Sequence, residues 1–234
     1  GKHGFITETR YPKAGDKNPE VKIAFVSVED GATVWADFDH TVDQYFGIPF
    51  WNADGSRFII PWMPREQNNL VLYTVNPENG SKDFIYNEEQ KTWIDWMEDM
   101  QFVEDGFFMV RDFEMWEQIY FQSFDGKRLE KITDGKNWGI RFIKVDMKGG
   151  AIYFTARREV STRNDFYKVD LKTKKITRLS FGEYNFVNVT LSPDNKYYTA
   201  LYSNSTTPTR LAVVDVKKAQ NFFTSAVVPF PLLP

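Results

Sequence analysis

An all-β fold, a β-propeller segment of about four and a half four-stranded antiparallel blades, is what the 234 residues predict. Three observations carry this. Residues 166–180 (FYKVDLKTKKITRLS) alternate in type on both sides of a polar turn, the period-2 signature of two antiparallel strands. The same unit recurs from Ile23, Leu72, Ile119 and Leu211, and the markers Phe25, Tyr73, Tyr120, Tyr167 and Ala212 stand 48, 47, 47 and 45 residues apart. Aromatic residues make up 17% of the chain, which suits sheets packed face to face through large flat side chains.

Taken in order, residues 1–40 read as a linker plus half a blade. The turn-rich RYPKAGDKNPE punctuates rather than packs, and 21–37 forms one hairpin without the two strands that should precede it. Four blades follow, at 41–89, 90–135, 136–182 and 183–228, and 229–234 is expected to be a tail toward a missing domain. The strand candidates are YFGIPFW, SRFIIPWM, LVLYTV and KDFIY in the first blade and WIDWMEDMQFV, GFFMVRDF, QIYFQSF and RLEKIT in the second. GIRFIKVDM, AIYFTARR, DFYKVDL and KITRLS form the third, and NFVNVTLS, KYYTALYS, RLAVVDV and NFFTSAV the fourth. Asp54-Gly55, Asp105-Gly106, Gly149-Gly150 and Asp194-Asn195 separate the first two strands of each blade, residues that reach positive φ easily. Tyr45, Trp93, Trp138 and Tyr184 recur at the mouth of each blade and are expected to pack between neighbouring blades.

Bulk composition excludes several function classes. A net charge of −3 speaks against a nucleic-acid surface, which wants clustered Lys and Arg. No cysteine is present, so disulfides, thiolate metal sites and a cysteine nucleophile are excluded. No apolar run approaches the ~20 residues of a membrane-spanning helix, and no signal peptide is visible. Both ends look cut, so the chain is expected to be part of a longer polypeptide with further blades upstream. Open terminal blades expose apolar faces, so self-association is expected.

A set of motifs resembles the N-terminal propeller domain of the dipeptidyl peptidase IV family of serine peptidases (prolyl oligopeptidase clan), partial and of bacterial type. RYPKAGDKNPEVKIAFV at 10–26 is similar to that family's segment between two mid-propeller blades. WNADGSRFIIPWMPREQNNLVLYTVNPENG at 51–80 resembles its blade with an Arg-x-Gln-Asn pattern, here Arg65, Gln67 and Asn68. NEEQKTWIDW, ITDGKNW, IYFTARREVSTRNDFYKVD and LSPDNKYYTALYSNSTTPTRL match later landmarks in order. The resemblance implies a non-catalytic propeller that caps an α/β-hydrolase domain absent from this chain. It also implies gating and orienting of peptide substrates, and a periplasmic, cell-surface or secreted location.

Candidate sites are weighed against plainer roles. There is no Gly-x-Ser-x-Gly and the only histidines are His3 and His40, so no catalytic residue is assigned. His40, with Asp37, Asp39 and Asp43 nearby, reads as a solvated loop; no metal site and no cofactor is expected. Glu88-Glu89 invites comparison with the family's paired glutamates, but that pair lies on an earlier blade, and a surface or inter-blade role is expected. The resemblance makes Trp96 and Glu98 candidates for lining the substrate pocket, with packing or solvent as the plainer alternative. Arg65 is a structural ion-pair candidate and 172–175 a solvated turn. Asn79, Asn188 and Asn204 head glycosylation sequons.

The expected partners are peptide substrates, met through the missing catalytic domain. A stand-alone propeller that binds a protein or cell-envelope ligand is the alternative function. A propeller glycosidase ranks last, since Asp95, Glu98 and Asp146 share no repeat position.

Overall fold

The computed structural model describes residues 4–9, 11–52, 55–218 and 220–224, and every regular element among them is a β-strand. The chain divides into two compact units, Gly1–Trp96 and Met97–Pro234. In the first, β1 (Ala24–Val26) and β2 (Thr33–Trp35) form a two-stranded antiparallel hairpin with Phe25 opposite Val34. A sheet follows from β3 (Gln44–Phe46), β4 (Phe50–Trp51), β5 (Phe58–Pro64), β6 (Asn69–Val75) and β7 (Lys82–Glu89). Both β3 and β4 pair antiparallel with β5, so they are one inner strand broken at Gly47-Ile48-Pro49. Proline has no amide to donate to a ladder, which accounts for a break there. Ala36, Ile60 and Val75 are the buried centre between hairpin and sheet, closed by Phe25, Phe38, Phe58 and Tyr73. Phe25 meets Phe58 edge to face at 5.2 Å.

The second unit holds three four-stranded antiparallel sheets, each ordered as the chain runs. The first comprises β8 (Met100–Val103), β9 (Gly106–Glu114), β10 (Trp116–Ser123) and β11 (Leu129–Lys131). The second comprises β12 (Trp138–Asp146), β13 (Ala151–Arg157), β14 (Asp165–Asp170) and β15 (Ile176–Arg178). The third comprises β16 (Asn185–Leu191), β17 (Tyr197–Asn204), β18 (Thr207–Asp215) and β19 (Gln220–Thr224). Strand β13 shows why the repeat packs as it does. Ile152, Phe154 and Ala156 point into one core with Phe108, Ile119 and Ile132, while Ala151 and Tyr153 point into another with Phe186 and Tyr198. A sheet buried on both faces needs apolar residues at both parities, hence the near-continuous run AIYFTA. Tyr198 brings a hydroxyl into the second core and satisfies it by donating to the Leu179 carbonyl at 2.9 Å.

Several sequence expectations are corrected. The second blade's first strand begins at Met100, not Trp93, because the backbone ahead of it is engaged elsewhere. The Gln90 and Ile94 amides donate to the Asn68 and Gln67 carbonyls at 2.9 and 2.8 Å. Trp93 and Trp138 are 61% and 52% exposed rather than packed; within the second unit the alternating residues of β13 and β14 fill the space between sheets. Tyr184 keeps the expected packing against Phe181 and Tyr202.

Among the turn residues, Gly55, Gly150 and Asn195 have φ of 74°, 64° and 58°, as tight turns require, whereas Gly106 is already the first residue of β9. Its need for glycine is spatial, since a Cβ there would run into the Gln122 carbonyl oxygen. Asp54, His3 and the expected tail at 229–234 lie outside the described residues.

Candidate functional site

Trp96 closes the first unit and sits where the inner strand breaks. A Cβ on Gly47 would lie 2.7 Å from Trp96 Cε3 and 3.0 Å from the Pro61 side chain, so the indole rests directly on the glycine backbone. Gly47 donates its amide to the Pro61 carbonyl at 2.9 Å, which fixes the floor under the ring. The lead-in at 90–94 is anchored by buried Ile94 and by the two amide bonds to the loop before β6, where Gln67 adopts a φ of 50°. Trp96 is therefore a half-buried aromatic seated on Gly47 with one accessible side.

Glu98 belongs to the second unit and precedes β8. Its carboxylate stands 3.9 Å from the Arg141 guanidinium, with the two side chains 71% and 61% exposed. At that distance and exposure the pair holds neither group firmly. Its neighbour Asp99 supplies the anchoring, accepting the Phe142 amide at 2.9 Å and the Gln101 side-chain amide at 3.2 Å. Glu98 thus offers an accessible negative charge on a backbone that is held in place.

Arg65 makes an ion pair within its own unit. Its guanidinium donates to Asp43 Oδ2 at 2.8 Å and to the Asp16 carbonyl at 3.2 Å. Asn18 donates to Asp43 Oδ1 at 2.9 Å and to the Tyr45 hydroxyl at 2.7 Å, so the polar 11–20 passage is tied to β3. The Arg65 hydrogen bond, seconded by Asn18, holds the Asp43 carboxyl below the usual range. Asp39 turns back on Thr41, with bonds of 2.9 and 2.7 Å from its amide and hydroxyl. Asp37 lies 3.6 Å from Lys82. The acids near His40 therefore point at different partners, and among the described residues no three His, Asp or Glu side chains converge as for a metal ion.

Of the surface or inter-blade role expected for the Glu88-Glu89 pair, the surface half applies to Glu89 alone. Glu88 is buried on β7, accepting from the Tyr86 hydroxyl at 2.9 Å and the Gln90 side chain at 2.8 Å, while Glu89 is exposed. The cause is a register shift. Leu72 pairs with Tyr86 and Tyr73 with Phe84, so Ile85 is an extra residue that turns Tyr86 and Glu88 inward.

Two polar clusters in the second unit escaped sequence reasoning. Asn137, fully buried, donates to Gln118 Oε1 at 2.7 Å and accepts from Arg158 at 2.7 Å, while Arg158 also pairs with Asp134 at 3.0 Å. The landmarks ITDGKNW and IYFTARREV thus meet in space, a long-range pairing no local pattern signals. Asp165, with no exposed surface, accepts from Arg163 at 2.9 Å, from Arg178 at 2.7 Å and from Ser180 at 2.6 Å. The first cluster ties the loop ahead of β12 to β10 and to the loop after β13, the second ties the start of β14 to the loop before it and to β15, and both fit a structural role.

Comparison with known proteins bears on this arrangement. The dipeptidyl peptidase 4 of Arthroderma otae is 28% identical over 233 residues, covering 93% of this chain and 30% of that protein. The dipeptidyl peptidase 4 of Trichophyton rubrum is 25% identical over 211 residues, covering 86% of this chain and 27% of that protein. The crystal structure of Porphyromonas gingivalis dipeptidyl peptidase 4 superposes with a TM-score of 0.80 at 25% identity, covering 93% of this chain and 31% of that one. The chain spans less than a third of the length of these relatives. The family model for the dipeptidyl peptidase IV (DPP IV) N-terminal region matches residues 6–209, and the chain belongs to that family.

Proposed function

We propose that this chain is the non-catalytic propeller portion of a dipeptidyl-peptidase-IV-like serine exopeptidase, gating and orienting peptide substrates for a hydrolase domain. The observation that carries the reading is the family match over residues 6–209, in relatives that are themselves dipeptidyl peptidases. A role outside the cytoplasm, in the periplasm, at the cell surface or secreted, goes with it. Within this reading Trp96 supplies an aromatic wall and Glu98 an accessible carboxylate that attracts the charged amino end of a peptide. Neither residue breaks a bond; each positions the substrate.

The test compares this chain with the full-length protein encoded by its parent gene, using a Gly-Pro chromogenic substrate. Turnover is expected from the longer protein and none from the 234 residues alone. Turnover by this chain that survives repurification, or a longer protein without hydrolase activity, overturns the proposal. In the longer protein, Trp96→Ala and Glu98→Gln are expected to raise KM by about fivefold each while leaving kcat nearly unchanged, the pattern of lost ground-state binding. Unchanged KM in both variants removes these two residues from the site.

A further inference from the structure

A cavity of about 290 Å³ lies within the second unit at the turn end of β8–β11 and β12–β15. Its floor is apolar, made by Phe108, Phe121, Ile132 and Leu171, with Met147 at the rim. Around that floor the charges fall into two groups. On one side the Glu130 carboxylate is shared by two cations, Arg128 just ahead of β11 and Lys174 from the β14–β15 turn. Arg128 also lies 4.8 Å above the Phe121 ring, which holds its guanidinium at the cavity. Two cations on one carboxylate leave one positive charge in surplus. At the β8–β9 turn stand Glu104 and Asp105, both exposed, whose carboxylates engage no hydrogen bond or ion pair with the described residues, while the Asp105 carbonyl accepts from the Phe124 amide at 3.1 Å.

A cavity with an apolar floor and opposite charges around it selects ligands by all three features. A purely apolar ligand leaves both charged groups unused. A simple anion meets Glu104 and Asp105, and a simple cation meets the Arg128–Lys174 surplus. We propose that this cavity binds a small zwitterion with an apolar side chain, an α-amino acid or dipeptide free at both ends. Its carboxylate lies toward Arg128 and Lys174, its ammonium toward Glu104 and Asp105, and its side chain on the Phe108–Phe121 floor. The volume sits at the lower end of the range of small-molecule sites, which suits one or two residues rather than a long peptide.

The experiment titrates the 234-residue protein, labelled at methionine and isoleucine methyl groups, with leucine and Leu-Leu. N-acetyl-Leu-Leu, Leu-Leu amide and Gly-Gly serve as the forms that lack one feature each. Leucine or Leu-Leu is expected to shift the Met147 and Ile132 methyl resonances saturably, and whichever shifts them more tightly identifies the length accommodated. Each blocked form is expected to bind about fivefold more weakly, the loss typical of one partly exposed charge pair. Lys174→Gln is expected to erase the preference for Leu-Leu over its amide. The double variant Glu104→Gln, Asp105→Asn is expected to erase the preference over the acetylated form. Selective loss of one preference per variant is not what a merely loosened fold produces. The proposal is overturned if no compound shifts these methyls saturably, or if the wild-type protein binds the blocked and free forms equally. The ligand panel on wild-type protein decides the matter even where a variant fails to fold.

Discussion

At the scale of single residues, this chain uses charge mainly to tie loops to strands. Asp165 is the clearest case, a carboxylate with no exposed surface between Arg163, Arg178 and Ser180. Removing it leaves both guanidinium groups with only one carboxylate, the more exposed Glu159 at 3.3 and 3.5 Å, and strips the buried Ser180 hydroxyl of its acceptor, so Asp165→Ala is expected to destabilise the protein by about 3–5 kcal/mol. At ~2–4 °C per kcal/mol for a chain of this size, thermal melts followed by circular dichroism should show a fall in Tm of roughly 6–20 °C. Asp43 is the contrasting case, exposed and paired with Arg65. Its folded-state pKa is lowered, so its contribution is present above the unfolded value near ~3.9 and lost as pH falls through the lower folded value. The Tm advantage of wild type over Asp43→Asn should therefore hold at neutral pH, narrow below about pH 4 and shrink with added salt. A difference that stays constant down to pH 2 would show that the charge contributes nothing.

At the scale of elements, alternation is reliable where a strand is long and misleading where it is broken. Strand β13 could be read from sequence because six residues in a row are buried, five of them in a core on one face or the other. By contrast, YFGIPFW reads as one strand and is two, and WIDWMEDMQFV supplies strand only from Met100. Both departures turn on backbone groups with partners that local patterns do not display. The two crowded glycines give a measurable contrast. At Gly106 the obstacle is the Gln122 carbonyl, fixed in the ladder, so Gly106→Ala should cost about 1–3 kcal/mol. At Gly47 the nearest obstacle, at 2.7 Å, is the half-buried Trp96 ring, which can swing aside, and the Pro61 Cβ at 3.0 Å needs only a small shift. Gly47→Ala should therefore cost less in a denaturant melt while shifting tryptophan fluorescence. Equal losses for the two would contradict this reading.

For the whole molecule, the unmatched element is the first hairpin. The β1–β2 sheet has two strands where the later sheets have four or more, and Val26, Val28 and Trp35 are exposed on or beside it. Apolar side chains beside two open strand edges favour pairing with another chain. We expect sedimentation equilibrium at micromolar concentration to give a mass above the 27.4 kDa of one chain. A monomer throughout that range would show that the exposed hairpin is tolerated.

Period and alternation by themselves determined the all-β class, the number of sheets and most of their strands, because each blade is built from hairpins whose residues are neighbours in sequence. The motif order was enough to point to the family, and the absence of a Gly-x-Ser-x-Gly was visible directly. What only the tertiary structure decided were the features set by residues far apart in the chain. Glu88 went inward because of a bulge at Ile85, and Trp93 and Trp138 stayed exposed, while within the second unit β13 and β14 fill the space between sheets. Trp96 gained a seat because Gly47 leaves room for its ring. Asn137 met Arg158, and Glu130 met Lys174, across separate hairpins. Hairpin pairing is local and can be read from one segment at a time; packing between sheets depends on which faces meet, and no single segment contains that information.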